Sequence, residues 1–152
     1  MQECLINAHE ELKRVDHLIY VSLKYTRTID VIKNIVERFI SSYDCFILAM
    51  LTKLKNEGNI EEIPESPIEK AKLVKEKYPD PIVQENIDIY LLYRKIAKAK
   101  STSSQEYRRH VTMTATLADG TVINVDIDKI YEYYKKAKEF FEYIKKLSGG
   151  ND

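Results

Sequence analysis

Starting at Leu5, apolar residues recur at steps of three and four: Leu5, Ala8, Leu12, Val15 and Ile19, with Ser22 or Leu23 next. Residues so spaced share one side of a helix, so this stretch predicts a helix with one buried face. His9, Glu10, Glu11, Lys13 and Arg14 fill the opposite side. The pattern breaks over Tyr25-Thr26-Arg27-Thr28, whose threonines are candidate N-caps. It resumes through Ile29, Ile32, Val36, Phe39 or Ile40, Tyr43, Ile47, Met50, Leu51 and Leu54. This longer stripe predicts the central helix. Gly58 follows it at the position where a left-handed residue ends a helix, so the first two helices are expected to form an antiparallel hairpin.

Residues 59–65 carry Glu61, Glu62 and Glu65 with Pro64 and no basic residue, which reads as an exposed acidic loop. Ser66-Pro67-Ile68-Glu69 is a capping box with proline at the first helical position. The helix it starts is short, uses Ile68, Ala71 and Val74, and must stop before Pro79, because the residue preceding proline is pushed out of the helical region. Asp80-Pro81 repeats the signal, and a fourth helix is predicted from Pro81 to about Lys100, burying Ile82, Ile89, Tyr90, Tyr93 and Ala97. Ser101-Thr102-Ser103-Ser104 then breaks the pattern as a loop.

The period next changes to two. Val111, Met113, Ala115 and Leu117 alternate with threonines, Ala118-Asp119-Gly120 turns the chain, and Ile123, Val125 and Ile127 alternate with Val122, Asn124 and Asp126. This is a hairpin. A three-residue Ala-Asp-Gly loop pairs Ala115 with Ile123, Met113 with Val125 and Val111 with Ile127. It makes one face wholly apolar and puts Gly120 where a left-handed residue is needed. Asp128 is expected to cap a last helix with Ile130, Tyr133 or Tyr134, Ala137, Phe140 or Phe141, Ile144 and Leu147 inward, closed by Gly149-Gly150. The fold class expected is mainly α: an antiparallel bundle of about five helices in one domain, 1–152, with one β-hairpin at about 107–127 inserted before the last helix.

Composition narrows the setting. The chain has 152 residues, 44% apolar and 32% charged, with a formal net charge of zero. That is too apolar for a disordered chain. The longest apolar run, Phe46-Ile47-Leu48-Ala49-Met50-Leu51, is far short of the roughly 20 residues a spanning helix needs. Met1-Gln2-Glu3-Cys4 has no basic or apolar leader character, so a cytoplasmic protein with no membrane partner is expected. The two cysteines, Cys4 and Cys45, read as buried reduced thiols. Abundant lysine, glutamate, isoleucine and tyrosine with little glutamine suggest a thermophile.

No glycine-rich phosphate loop, HExxH or GxSxG is present, and no cofactor is expected. His9 and His17 lie eight residues apart, about 12 Å along a helix, too far for one metal, and no metal site is expected. The informative cluster is basic. Over residues 93–110 stand Arg94, Lys95, Lys98, Lys100, Arg108 and Arg109, with His110, against the single acid Glu106, and Tyr93 and Tyr107 are interleaved. Cations beside aromatic rings suit phosphate contacts and base stacking, so Arg94, Lys95, Lys98, Arg108, Arg109 and His110 are the candidate nucleic-acid-binding residues. Eleven tyrosines occur. Tyr131, Tyr133 and Tyr134 cannot all face one core, because neighbouring positions diverge by about 100°. With the apolar hairpin face, they point to a homodimer.

The first two helices, from Ala8-His9-Glu10-Glu11-Leu12 through Phe46-Ile47-Leu48-Ala49-Met50-Leu51, resemble the opening pair of HEPN-like proteins. The helices holding Tyr90-Leu91-Leu92-Tyr93-Arg94 and Phe140-Phe141-Glu142-Tyr143-Ile144 would complete such a bundle. The resemblance implies a dimer that binds RNA, a nucleotide or a protein partner. Nucleases of that family place an arginine some four to six residues ahead of a histidine. Here Arg14 lies too close to His17, and Arg108 and Arg109 too close to His110, so binding without conventional catalysis is expected. The alternative is a metal-independent ribonuclease of a toxin–antitoxin type, using Arg94, Arg108, Arg109 and His110.

Overall fold

The computed structural model describes residues 2–149; Met1 and Gly150, which figure in the sequence reading, lie outside them. Helix α1 (Gln2–His17) passes into a π-helical turn, Leu18–Ser22, and a last turn, Leu23–Tyr25. Helix α2 (Ile29–Asn56) returns antiparallel to it, and α3 (Pro67–Lys77) and α4 (Pro81–Lys98) follow. Strands β1 (Lys100–Ser104), β2 (Thr112–Thr116) and β3 (Val122–Asp126) form a sheet, and α5 (Ile127–Leu147) closes the fold. No helix among the described residues is long and apolar enough to cross a membrane.

Ala8, Leu12, Val15, Ile19 and Leu23 are all buried. In an unbroken α-helix the step after Ile19 would select Ser22. The π-turn adds one residue, so Leu23 takes that place and the half-buried Ser22 moves aside. Helix α2 is capped by Thr28, whose Oγ1 accepts from the Val31 N–H at 3.5 Å. It crosses the middle of the core, with Ile32, Ile35, Val36, Phe39, Tyr43, Phe46, Ile47, Met50 and Leu51 almost wholly buried. Ser66 and Asp80 cap α3 and α4, each with proline in the first turn, as the sequence predicts.

Three expectations need correction. Residues 101–104 are not a loop: Lys100–Ser104 pairs antiparallel with β2, so the hairpin is two thirds of a three-stranded sheet, order β1-β2-β3. Both faces of β1 are polar, so no alternation announced it. Second, α4 ends at Lys98 and turns Val83, Asn86, Ile87, Tyr90, Tyr93 and Ile96 inward. Ile82 and Ile89 are half-buried and Ala97 is exposed. Third, α5 starts at Ile127, so its cap is Asp126, whose side chain accepts from the Lys129 N–H at 2.8 Å. Asp128 lies within the first turn.

The hairpin register stands as read at Met113, which faces Val125, and at Ala115, which faces Ile123. The ladder ends at Thr112 and Asp126, however, and the expected pair of Val111 with Ile127 does not form because Ile127 opens α5. The Leu117 N–H donates to the Thr121 carbonyl at 2.8 Å around a three-residue loop in which Gly120 has φ +88°. Val111, Met113, Ala115, Leu117 and Val125 are buried, β2 meeting α2 and β3 meeting α5. The features behind the dimer expectation are thus satisfied within one chain. The apolar face of the sheet lies on its own helices, and Tyr133 and Tyr134 both join the core, leaving Tyr131 as the exposed ring of the three.

Candidate functional site

A cavity of about 470 Å³ opens where the end of the first helix, the connection between β1 and β2 and the start of α5 meet. Ile19, Leu23 and Ile127 contribute apolar wall. Tyr20 and Tyr131, 50% and 42% exposed, lie side by side with ring centroids 5.8 Å apart, and Tyr20 also meets the edge of Tyr134. The cations are Lys24, Arg27 and Arg109, with His110 beside them, and Asp126 and Asp128 supply carboxylates from the start of α5.

Three local irregularities converge here. The π-turn supplies Ile19 and Tyr20, and single π-turns occur frequently at functional sites. The 105–110 connection holds Gln105 and Tyr107 at φ +56° and +65°, a left-handed conformation that costs a non-glycine residue about 1–2 kcal/mol. It is pinned to the start of α2. The Tyr107 N–H donates to the Arg27 carbonyl at 2.6 Å, and the Ile29 N–H donates to Glu106 Oε1 at 3.1 Å. Glu106 therefore satisfies one of the free N–H groups of that helix end and places a negative charge where the helix dipole favours it. This docking carries Arg109 and His110 to the cavity beside Arg27. Finally, Arg27, a residue of the cavity wall, has its Nε buried without a hydrogen-bond acceptor.

The structure divides the basic cluster read from sequence. Arg109 and His110 line the cavity, and Arg108 is exposed on the same connection. Arg94 lies in the seam between α2 and α4. Its guanidinium donates to the Tyr90 hydroxyl at 3.2 Å, and Tyr90 in turn donates to Asp44 at 2.5 Å. Lys95 is exposed on α4, near enough to the β2–β3 turn for its charge to act there. The carboxyl of Asp119 there is lowered, mainly by hydrogen bonds from Thr121 and to a lesser degree by Lys95. Lys98 is exposed at the end of α4, outside the cavity.

Tyr20, Lys24, Arg27, Asp126, Asp128 and Tyr131 were missed as site residues. Tyr131 alone had a signal, since one ring of the tyrosine-rich helix had to fall off the core face. His9 instead stacks on Phe141 with centroids 5.9 Å apart, and His17 borders a shallow groove with Arg14 and Arg38. Both cysteines are half-buried rather than buried, and partial burial still pushes the Cys45 thiol up to about 11. No protein-family model matches the chain, and no curated protein or solved structure matches it either.

Proposed function

We propose that the chain is a HEPN-like binding protein that holds single-stranded RNA in this cavity without catalysing a reaction on it. The observation that carries the reading is the convergence of Lys24, Arg27 and Arg109 with the exposed rings of Tyr20 and Tyr131. Cations contact phosphate, and a ring stacks on a base of any identity. The acids have a place in the same scheme. Asp126 and Asp128 repel phosphate, which directs it toward the arginines, and they accept hydrogen bonds from ribose hydroxyls or exocyclic amines. A volume of about 470 Å³ lies within the roughly 300–1,000 Å³ of small-ligand pockets. It suits one nucleotide of a strand, with its neighbours passing over the exposed Arg108.

Titration of an unstructured RNA across salt concentrations tests this. Arg27→Ala and Arg109→Ala should each flatten the dependence of log affinity on log salt, by about 0.7 for each phosphate no longer neutralised. Tyr131→Ala should weaken binding, while Tyr131→Phe, which keeps a stacking face, should retain it. A salt slope unchanged in both arginine variants sinks the proposal.

His110 favours a second reading. It lines the cavity together with Arg27 and Arg109, and histidine is the side chain most often used for general acid–base catalysis. Side-chain catalysis of RNA cleavage would use it as the acid–base group, with Arg27 and Arg109 stabilising charge on the phosphate. Cleavage that disappears in His110→Ala supports this reading, and RNA that stays intact with the unaltered protein ends it.

A further inference from the structure

β1 is an outer strand, and its far side pairs with no strand among the described residues. The direction of its free groups follows from the turn beyond it. The Leu117 N–H donates to Thr121 on the β3 side, and backbone direction alternates along a strand, so Ala115 and Met113 also address β3. Thr112, Thr114 and Thr116 must then bond Ser104, Thr102 and Lys100, their partners in β1. The N–H and C=O of Ser101 and Ser103 therefore point away from the sheet. Edges of this kind are ordinarily guarded by proline, a bulge, a covering segment or inward-pointing charge. β1 has none of the first two, its one charge is Lys100 at the end, and Thr102, Ser103 and Ser104 are exposed.

We infer that two copies of the chain join along this edge, β1 against β1, antiparallel about a two-fold axis at Thr102. Parity sets the register. Ser101 and Ser103 of one copy face Ser103 and Ser101 of the other, giving two narrow pairs and four backbone hydrogen bonds. Thr102 then faces itself, a favourable cross-strand pair, and Lys100 faces Ser104, so no lysine meets a lysine. A foreign extended peptide fits less well, because strand addition draws specificity from pockets for alternate side chains, and β1 is flanked by serine and threonine. Closure about the two-fold covers the β1 edge of each copy and makes one six-stranded sheet with β3 outermost at either end. It also sets Lys100 of the second copy beside Ser104, the residue before the connection that carries Arg108, Arg109 and His110. Each copy thereby lends a lysine to the basic segment of the other.

The inference is independent of RNA binding, and its test reads mass. A one-strand contact is small, so association is weak and calls for sedimentation equilibrium up to the order of 1 mM. The expected mass approaches twice 17.8 kDa. Ser103→Pro removes an outward N–H without touching the ladder to β2, and should return the mass to a single chain with circular dichroism unchanged. Ser104→Glu places two Lys–Glu pairs across the axis and Ser104→Lys two Lys–Lys pairs, on exposed positions that leave the fold alone. They should tighten and weaken the dimer respectively, each by roughly 2- to 30-fold in Kd. A single-chain mass throughout overturns the inference. So does a dimer indifferent to Ser103→Pro, or one that Ser104→Glu and Ser104→Lys move in the same direction.

Discussion

The hydroxyl of Tyr93 is buried without a hydrogen-bond partner, in a ring cluster with Phe39, Tyr43 and Tyr133. Tyr43, equally buried, donates to Asn86 Oδ1 at 2.8 Å. An unmet buried polar group costs about 1–3 kcal/mol, whereas a satisfied one contributes roughly 0.5–1.5. Tyr93→Phe should therefore leave stability to chemical denaturation unchanged or raise it by up to about 1 kcal/mol. Tyr43→Phe should lower it by about 1–2 kcal/mol, because it strands the Asn86 carbonyl. A Tyr93→Phe protein clearly less stable than the parent would show that the hydroxyl is satisfied after all. Asn86 also explains one misreading. A polar residue in the true inward stripe of α4 breaks the apolar period, so the neighbouring stripe through Ile82, Ile89 and Ala97 reads as the better one. Nothing in the sequence announces that Tyr43, 43 positions away, makes an inward asparagine tolerable.

Helix ends were legible where a capping residue stood alone before proline or a box, as at Ser66 and Asp80, and ambiguous where aspartates alternate with apolar residues. In sequence Asp128 reads as the cap, whereas in the structure Asp126, two residues earlier, holds that place. The choice falls on Asp126 because β3 hands over directly to α5, with no intervening turn, so Ile127 is already helical. Asp126→Ala should then cost about 1 kcal/mol of stability. Asp128→Ala removes only a first-turn charge, worth roughly 0.3–1 kcal/mol at low salt and less as salt rises. Thermal melts of the two variants at low and high salt separate cap from charge, and equal losses at high salt would contradict the assignment. The hairpin register was legible because the three-residue loop puts Met113, Ala115, Ile123 and Val125 on a single face. β1 offered no such constraint. A strand of lysine, serine and threonine lying beyond the helices is specified by its neighbour's free edge and not by its own pattern.

Across the whole molecule, the core is unusually rich in phenols. Burial pushes the hydroxyls of Tyr43, Tyr90 and Tyr93 far above their ordinary value, and it raises Tyr78 to about 12. Unfolded phenols release protons near pH 10. Below that pH both states are protonated and the stability is present in full. Above it the unfolded chain ionises while the folded core does not, so stability falls by about 1.4 kcal/mol per pH unit for each phenol held neutral. Alkaline titration should give an abrupt unfolding, with tyrosinate absorbance from the core and loss of helical dichroism rising together. Ionisation of these rings in a protein that keeps its helices would refute the linkage. The candidate site shows the same dependence on the assembled fold. Arg109 and His110 are adjacent in the chain and stood out, but Lys24 and Arg27 come from the last turn of the first helical segment and the break after it, some 80 positions earlier. Only the docking of the 105–110 connection on α2 unites them.

The π-turn in the first helix acts as a dislocation does in a crystal. Order is regular on both sides, and the whole misfit is gathered into Leu18–Ser22. Were the lattice perfect, every side chain after it would be rotated by about 100°, so that Ser22 would enter the core in place of Leu23 and Lys24 would swing out of the cavity. Two helical frames thus coexist in one segment, the first answering to the bundle and the second to the cavity. Selection could tune either one without disturbing the other.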